Sequence, residues 1–255
     1  MNRADIGTAG LAASSILIAV ALAISLWRQL GLERDLVWSA LRALVQLLIV
    51  GFALQLVVDE DDPLWRSSVW LVVMHVFAAY TTWRRARDVP AVFPLSLAAY
   101  ACSAVVTLGV LFGFGVYELE GRTIVPLAGI VVGNSLSATV LVSRRLFDAA
   151  VERRAEIEGR LALGLSAREA FRPILRASLR TALVPQIETT KAVGIIALPG
   201  AMVGLILAGT DPGDAVRVQV SVMYLVLGSV ATTTAVMSLG ISTKLFTRAD
   251  QLIRT

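Results

Sequence analysis

Seven long apolar runs constrain the fold of this chain more than any other feature of its sequence. Each run is close to the length of about 20 residues that a helix needs to cross the hydrocarbon of a bilayer. The runs are continuous rather than alternating, which favours helices over barrel strands. They cover residues 8–27, 36–58, 64–83, 93–117, 124–142, 183–209 and 218–241. The sequence therefore predicts an all-α, polytopic transmembrane helix bundle, with residues 1–255 forming a single membrane domain.

The composition agrees with a location in lipid. Of the 255 residues, 56% are hydrophobic and only 16% are charged, and the mean hydropathy is +0.75. A soluble domain of this size could not cover so much apolar surface with polar groups. We therefore expect a multi-pass protein of the cell membrane, meaning the inner or plasma membrane, with the lipid bilayer as its surroundings.

The connections between the runs alternate in charge, and this alternation predicts the topology. The connections on one side carry 17 Lys and Arg residues, nine of them in the loop 143–182, whereas those on the other side carry 4. Because basic loops stay in the cytoplasm, we expect the N-terminus outside and the C-terminus in the cytoplasm. Alternatively, the first run is a signal peptide cleaved near Ala21-Leu22-Ala23, and six spans then remain.

The sequence lacks the residues that several kinds of enzyme need. Lys191 and Lys244 are its only lysines and neither precedes Ser or Thr, so the chain has no P-loop with which to hydrolyse ATP. His75 and Cys102 are the only residues of their types, and we interpret both as packing residues rather than metal ligands. No catalytic residues and no cofactor bound by this chain are predicted. A membrane scaffold or an intramembrane enzyme is a further possible function. The missing catalytic groups argue against it.

The loop 143–182 has the pattern of two helices joined by a glycine turn. The first helix includes Glu158 and ends at Gly164, because glycine most easily takes the left-handed conformation that follows a helix. Ser166 and Glu169 have the spacing of a capping box, which starts the second helix. The hairpin could lie on anionic lipid, or it could couple this chain to a partner protein by docking in a cleft. The position of its arginines beside the membrane favours these interpretations over nucleic-acid binding.

Two ionisable residues lie within the sixth run. Glu188 and Lys191 are three residues apart, which lets their side chains pair on one face of a helix, at depths of about 8 and 12 Å. A charge in hydrocarbon costs about 2.5–3.5 kcal/mol, so such groups usually face protein or water. We hypothesise that Arg42 and Gln46 of the second run converge with them on a polar path for a substrate. The alternative is a structural ion pair that locks two helices together.

Proline and glycine predict irregular geometry in the same region. Pro173 is expected to kink the second helix of the loop, and Pro199 and Gly200 to break the sixth run. Small residues that permit close helix packing form two stripes: Gly129, Gly133 and Ser137, and Gly200, Gly204 and Ala208. Beside these stripes and the ionisable pair, Asn134 and Gln186 are further candidates for the path.

Six short motifs follow one another along the second half of the chain. They are Gly133-Asn134-Ser135-Leu136-Ser137-Ala138, Ala162-Leu163-Gly164, Ala182-Leu183-Val184-Pro185, Val193-Gly194, Leu198-Pro199-Gly200-Ala201-Met202 and Ile206-Leu207-Ala208-Gly209. In their order and spacing they resemble the Fet-type iron-export ABC permease family, which includes plant aluminium-tolerance relatives. In addition, Glu158, Gly164 and Ile174 match the spacing of the cytoplasmic loop of ABC permeases. The resemblance extends from about residue 36 to the C-terminus.

The resemblance implies a permease subunit that forms a homodimer, works with a separate cytoplasmic ATP-binding-cassette ATPase, and exports iron or another metal ion. ATP would be used by that partner subunit, and the metal-binding residues stay unknown. The residues expected to couple this chain to the ATPase are Glu158, Gly164, Ser166, Glu169 and Phe171. The alternative function is an ion-coupled secondary transporter that uses Glu188 as a protonatable site, although the inverted repeats typical of such carriers are not evident.

Overall fold

The computed structural model describes residues 8–57, 64–195, 198–247 and 249–253. Within these ranges the chain is helical, apart from turns, short connections and isolated bridges, as the sequence predicts. The helices are α1 (Thr8–Trp27), α2 (Glu33–Val57), α3 (Leu64–Arg85), α4 (Val92–Gly113), α5 (Gly121–Glu152), α6 (Arg154–Ala162), α7 (Ala167–Ala192), α8 (Gly200–Leu207) and α9 (Pro212–Lys244).

Helices α3, α4, α5 and α9 form the central bundle, in which α9 packs against α4 and α5, and α3 packs on the same two helices. Small and hydroxyl-bearing residues let these helices approach closely. The Ser103 hydroxyl of α4 donates a hydrogen bond to the Ser229 carbonyl of α9 over 3.0 Å. A Cβ at Gly240 would lie 2.6 Å from a methyl carbon of Leu95. The absence of a side chain at Gly240 therefore allows α9 to sit against α4.

A buried apolar cluster joins the loop region to one end of this bundle. Leu146 of α5, Ile157 of α6, Phe171 of α7 and Ile241 of α9 all belong to it. Leu252, from the segment after α9, is buried in the same cluster. This end of the molecule is therefore one packed unit, to which α6 and the start of α7 are attached.

Helices α1 and α2 form a hairpin of their own, and each has the other as its main partner. The Ser25 hydroxyl donates a hydrogen bond to the Glu33 carboxylate over 2.7 Å and accepts one from the Leu32 N–H, which fixes the turn between them. Leu47 and Leu48 of α2 are exposed, like most of the large apolar side chains on this hairpin. In a bilayer, lipid would cover these surfaces.

Four helical segments of the described chain are long and apolar enough to cross a membrane, judged by length and composition. These are Glu33–Phe52, Val92–Gly113, Gly121–Glu152 and Pro212–Lys244, and Ala13–Trp27 is a shorter apolar segment. The protein is thus an all-helical, polytopic membrane protein. The total of seven spans, the positions of the two termini and the possible cleavage of the first run stay predictions.

Candidate functional site

One uninterrupted helix, α7, connects the loop 143–182 to the predicted sixth span. The sequence pattern predicted the second loop helix and the sixth span, starting at residue 183, as separate elements, and this prediction was wrong. Helix α7 continues through Pro173 and Pro185 to Ala192. Its buried side chains, Ala170, Phe171, Ile174, Ser178 and Ala182 among them, recur at helical spacing and pack on α5 and α9. This buried stripe supports the helix across Pro173 and ends at Ala182, so α7 passes through Pro185 without a buried side chain beyond that point.

The ionisable residues near the end of α7 form the predicted ion pair. The Lys191 ammonium lies 2.9 Å from the Glu188 carboxylate, within one helix rather than between two. The side chains of Lys191 and Glu188 are 67% and 61% exposed in the single chain, and Gln186 on the same helix is half-buried. Charged groups at membrane depth need protein or water beside them. This part of α7 therefore presents a polar surface that the single chain leaves uncovered.

Asn134 of α5 is also exposed. Its side-chain amide donates a hydrogen bond to the Ile130 carbonyl over 2.8 Å, so its amide oxygen is turned to other partners. A Cβ at the neighbouring Gly133 would meet nothing within 4 Å, whereas one at Gly129 would lie 3.2 Å from the Met74 methyl carbon. The stripe thus packs within the chain at Gly129, whereas the surface at Gly133 has room for another helix.

Arg42 and Gln46 are exposed on α2. Their predicted convergence with Glu188 and Lys191 stays a prediction, because α2 packs mainly on α1 and the principal partners of α7 are α9, α5 and α6. The position of the α1–α2 hairpin against the rest of the bundle decides whether these side chains meet.

The break predicted at Pro199 and Gly200 is present and begins earlier than expected. Helix α7 ends at Ala192, and Gly194 has a φ of 90°, a conformation that favours glycine. Pro199 is extended and precedes the first residue of α8, Gly200. Gly194 therefore ends one helix, and Pro199 sets the start of the next. The predicted sixth span is consequently divided between two helices, the last part of α7 and α8.

The turn between α6 and α7, which we call the α6–α7 turn (residues 163–166), follows the sequence prediction closely. Gly164 has a φ of 87°, as expected for the residue after a helix end. The Ser166 hydroxyl accepts from the Glu169 N–H, and the Glu169 carboxylate accepts from the Ser166 N–H over 3.1 Å and from its hydroxyl over 2.7 Å. The predicted capping box is confirmed, and it fixes the direction in which α7 starts.

The hydrogen bond from the Ser166 hydroxyl holds the pKa of the Glu169 carboxyl below its usual value, and the Ser166 N–H and the Arg172 charge act in the same direction. The carboxylate is therefore ionised at neutral pH. A lowered pKa means that its contribution to the cap is lost only as the pH falls through that lowered value.

Ion pairs and one hydrogen bond connect α6 internally and to α7. Arg154 pairs with Glu158 over 2.7 Å, and Arg160 pairs with Glu156 over the same distance. Arg160 also donates to the Ala170 carbonyl of α7 over 3.0 Å. Glu158, a predicted coupling residue, thus has a partner in its own helix.

Phe171, another predicted coupling residue, is 1% exposed. Its ring lies edge-on to that of Phe246, with 5.7 Å between the centroids. A docking contact with a partner is therefore not available to Phe171 in this structure, and the residue instead anchors α7 to the end of α9.

Leu163, which the sequence analysis did not single out, is 82% exposed at the α6–α7 turn. Leu165 on the other side of Gly164 is also exposed. Large apolar side chains on both sides of a turn glycine, in an otherwise polar loop, were the available signal. The two exposed leucines give this turn an apolar surface that a partner could cover.

The interior of the bundle holds a few polar atoms without partners among the described residues. His75 is buried, and its Nδ1 lies 2.7 Å from the Leu71 carbonyl. Its Nε2, the Ser135 hydroxyl and the Gln219 carbonyl oxygen are buried and unpaired. No group of three or more His, Cys, Asp or Glu side chains with metal-binding geometry occurs in the described ranges.

The sequence of this chain is similar to those of other proteins over nearly its whole length. The uncharacterised protein family UPF0014 matches residues 8–246, from the start of α1 to just beyond α9. A protein named the probable iron export permease protein FetB, from Escherichia coli strain K12, is 33% identical over 257 residues. That alignment covers 100% of this chain and 98% of FetB.

Two plant proteins are similar over most of the chain as well. The UPF0014 membrane protein STAR2 of Oryza sativa subsp. japonica is 36% identical over 217 residues, which cover 85% of this chain and 76% of STAR2. The protein ALUMINUM SENSITIVE 3 of Arabidopsis thaliana is 30% identical over 241 residues, which cover 94% and 88%. No solved structure matches significantly.

Proposed function

The chain belongs to the uncharacterised protein family UPF0014, and from that membership we propose that it is the permease subunit of an ATP-driven ABC transporter. The resemblance to the Fet-type family that the six motifs predicted is confirmed. The cargo in this proposal is iron or another metal ion leaving the cytoplasm across the inner or plasma membrane. FetB, which is named for iron export, aligns with this chain along its whole length and supports that cargo.

The continuity of α7 is the observation on which the proposed mechanism rests. The α6–α7 turn lies at one end of this helix, and the Glu188–Lys191 pair lies near its other end. The two features belong to one unbroken helix, so a displacement of the turn would shift the ion pair as well. Because α7 ends at Ala192 and α8 is a separate helix that starts at Gly200, a movement of α7 need not carry α8 with it.

A cytoplasmic ATPase subunit is the partner in this proposal, and Leu163 is the side chain that meets it. Gly164 and the capping box of Ser166 and Glu169 hold Leu163 out from the protein surface. Phe171 and Phe246 then connect the start of α7 to the end of α9. Movement of the ATPase on nucleotide binding would thus reach both helices.

A second copy of the chain completes the path in this proposal. Glu188, Lys191 and Asn134 are exposed in the single chain, and facing lipid would cost several kcal/mol for the charged groups, about 2.5–3.5 each. Carboxylate oxygens are ligands that Fe²⁺ accepts, and carboxylate and carbonyl oxygens also bind harder divalent cations. A cation bound by only one or two such oxygens at a time is held weakly and is easily released. Such weak binding suits transport rather than storage.

Purified chain co-expressed with the ATP-binding-cassette ATPase subunit of its own organism tests the function. We expect a tag on this chain to capture the ATPase, and inverted vesicles containing both to accumulate Fe²⁺ only when ATP is supplied. Failure to capture an ATPase, or vesicles that accumulate no metal ion with ATP, would contradict the proposal.

The alternative, an ion-coupled secondary transporter, is favoured only by the exposed carboxylate of Glu188. It predicts the opposite result in the same vesicles. Metal uptake would continue without ATP or an ATPase, and would stop when an uncoupler removes the proton gradient.

Replacing Glu188 with glutamine is expected to reduce transport at least about tenfold and to leave the thermal unfolding midpoint nearly unchanged. An exposed ion pair within one helix contributes at most about 0.5 kcal/mol to stability, which corresponds to about 1–2 °C in a chain of this size. Metal uptake and thermal unfolding of the purified variant measure the two effects.

Asp214→Asn is the matched control for Glu188→Gln. Asp214 and Arg217 form a pair of the same spacing at the start of α9, at 3.0 Å, with both side chains exposed. This variant should keep normal transport. Normal transport with reduced stability in Glu188→Gln would instead assign the pair a structural role.

A further inference from the structure

A groove of about 1110 Å³ lies between α7 and the end of α9, and we call it the α7/α9 groove. Arg168, Arg172 and Arg176 line it on α7, and Leu239 and Ser242 line it on α9. Helix α9 is one of the segments able to cross a membrane, and Leu239 and Ser242 belong to its last two turns. We therefore expect the groove at the level where the bundle leaves the apolar layer, beside the lipid headgroups.

The three arginines stand four residues apart and are all exposed, so they form a stripe along one face of α7. In the described part of the chain, no acidic side chain lies within ion-pair distance of any of them. Arg172 nevertheless interacts electrostatically with Glu169. Guanidinium groups bind phosphate oxygens in pairs of hydrogen bonds, so this stripe is suited to a phosphate ligand.

Thr247 adds a hydrogen-bond donor on the opposite side of the groove. Its hydroxyl oxygen accepts from the N–H groups of Ala249 and Gln251, over 3.3 and 3.2 Å. A hydroxyl has one hydrogen to donate, and that hydrogen has no acceptor among the residues the structure describes. It is available to an anionic oxygen in the groove.

Charge and polarity change along the groove. Its two carboxylates, Glu169 and Asp250, lie at the end near the α6–α7 turn. Arg176 is two turns further along α7 than Glu169, about 10 Å at the helical rise. The apolar side chains Leu175 and Leu239 lie towards the membrane end. The groove thus offers cationic groups beside an apolar surface that continues into the bilayer.

We propose that the α7/α9 groove binds the headgroup of an anionic phospholipid. The lipid phosphate contacts Arg172 and Arg176, and an acyl chain lies along Leu175 and Leu239 towards the bilayer. This site goes beyond the proposed transport function and does not depend on it. The bound lipid would join α7 to α9 at the level where Phe171 already connects them.

The test uses the purified full-length chain in detergent with dioctanoyl phosphatidylglycerol or dioctanoyl phosphatidylcholine, followed by native mass spectrometry. We expect a one-to-one adduct with phosphatidylglycerol that Arg172→Gln/Arg176→Gln weakens about tenfold or more, since each basic residue near an anionic lipid contributes about 1 kcal/mol. Both arginines are exposed, so the variant should unfold at the wild-type temperature without lipid, which confirms that it is folded.

Arg84→Gln/Arg145→Gln is the matched control, because it removes two exposed arginines at the same end of the bundle but outside the groove. It should keep wild-type affinity for phosphatidylglycerol. Equal weakening by both double variants would show general attraction between charges and would overturn the site.

Two further measurements identify the ligand. Inorganic phosphate and dioctanoyl phosphatidylcholine should not displace the phosphatidylglycerol adduct, and displacement by either would overturn the assignment to an anionic lipid. The third possible occupant is a protein surface. If Arg172→Gln/Arg176→Gln abolishes capture of an ATPase subunit and leaves lipid binding unchanged, the groove is a docking surface for that subunit instead.

Discussion

Replacing Leu163 with aspartate is expected to abolish ATP-dependent transport and to leave the chain folded in the membrane. Leu163 is 82% exposed, so the substitution removes almost no packing within the chain. At an interface with the ATPase, the carboxylate introduced at position 163 would lose its hydration without gaining a hydrogen-bonding partner. Central apolar residues of interfaces contribute about 2 kcal/mol or more, so binding should weaken roughly thirtyfold.

Capture of the ATPase by tagged Leu163→Asp, and Fe²⁺ uptake by vesicles containing the variant, measure this effect. Val151→Asp is the control, because Val151 is an exposed apolar residue at the end of α5, beside α6 but away from the turn. It should bind the ATPase like the wild type. If Leu163→Asp still captures the ATPase and transports normally, the α6–α7 turn is not the docking element.

Local features of the loop could be predicted because neighbouring residues determine them. Gly164 follows a helix, Ser166 and Glu169 have capping-box spacing, and Glu188 and Lys191 stand one turn apart. Each of these arrangements needs only backbone geometry and side chains a few residues apart. The structure confirms all three.

The extent of α7 and the burial of Phe171 could not be predicted, because distant parts of the chain determine them. The change from the amphipathic loop to the apolar run that starts at residue 183 suggested two elements. Packing on α5 and α9 holds them in one helix instead. Phe171 resembles an exposed loop aromatic until Phe246, from the end of α9, is placed against it.

The arrangement of the predicted path depends on contacts of the same long-range kind. Arg42 and Glu188 were assigned to one path because both are about 8–9 Å inside their predicted spans by the helical rise. Depth alone does not determine where two side chains lie around the bundle. The α1–α2 hairpin has few contacts that fix it beside α7. Contact between two copies of the chain, which a single sequence does not specify, would also determine which side chains face the path.

Replacing Phe171 with alanine is expected to lower the free energy of unfolding by about 3–5 kcal/mol, the usual cost of removing a buried phenylalanine. The side chain is 1% exposed and meets Phe246 edge-on, so the substitution leaves a cavity where α7 joins α9. Denaturant unfolding of the purified chain measures the loss. Leu163→Ala, a truncation of an exposed apolar side chain in the adjoining turn, should change stability by about 0.5 kcal/mol or less.

Phe171→Leu separates the mechanical role of this contact from its role in stability. Leucine keeps most of the buried apolar surface and loses the aromatic contact with Phe246, which is worth about 0.5–1.5 kcal/mol. This variant should fold and still capture the ATPase through Leu163. If α7 and α9 move together through this contact, ATP hydrolysis should continue while metal uptake falls severalfold. Equal stability of Phe171→Ala and Leu163→Ala would mean that α7 is not anchored to α9 here, and the proposed route of motion would then be wrong.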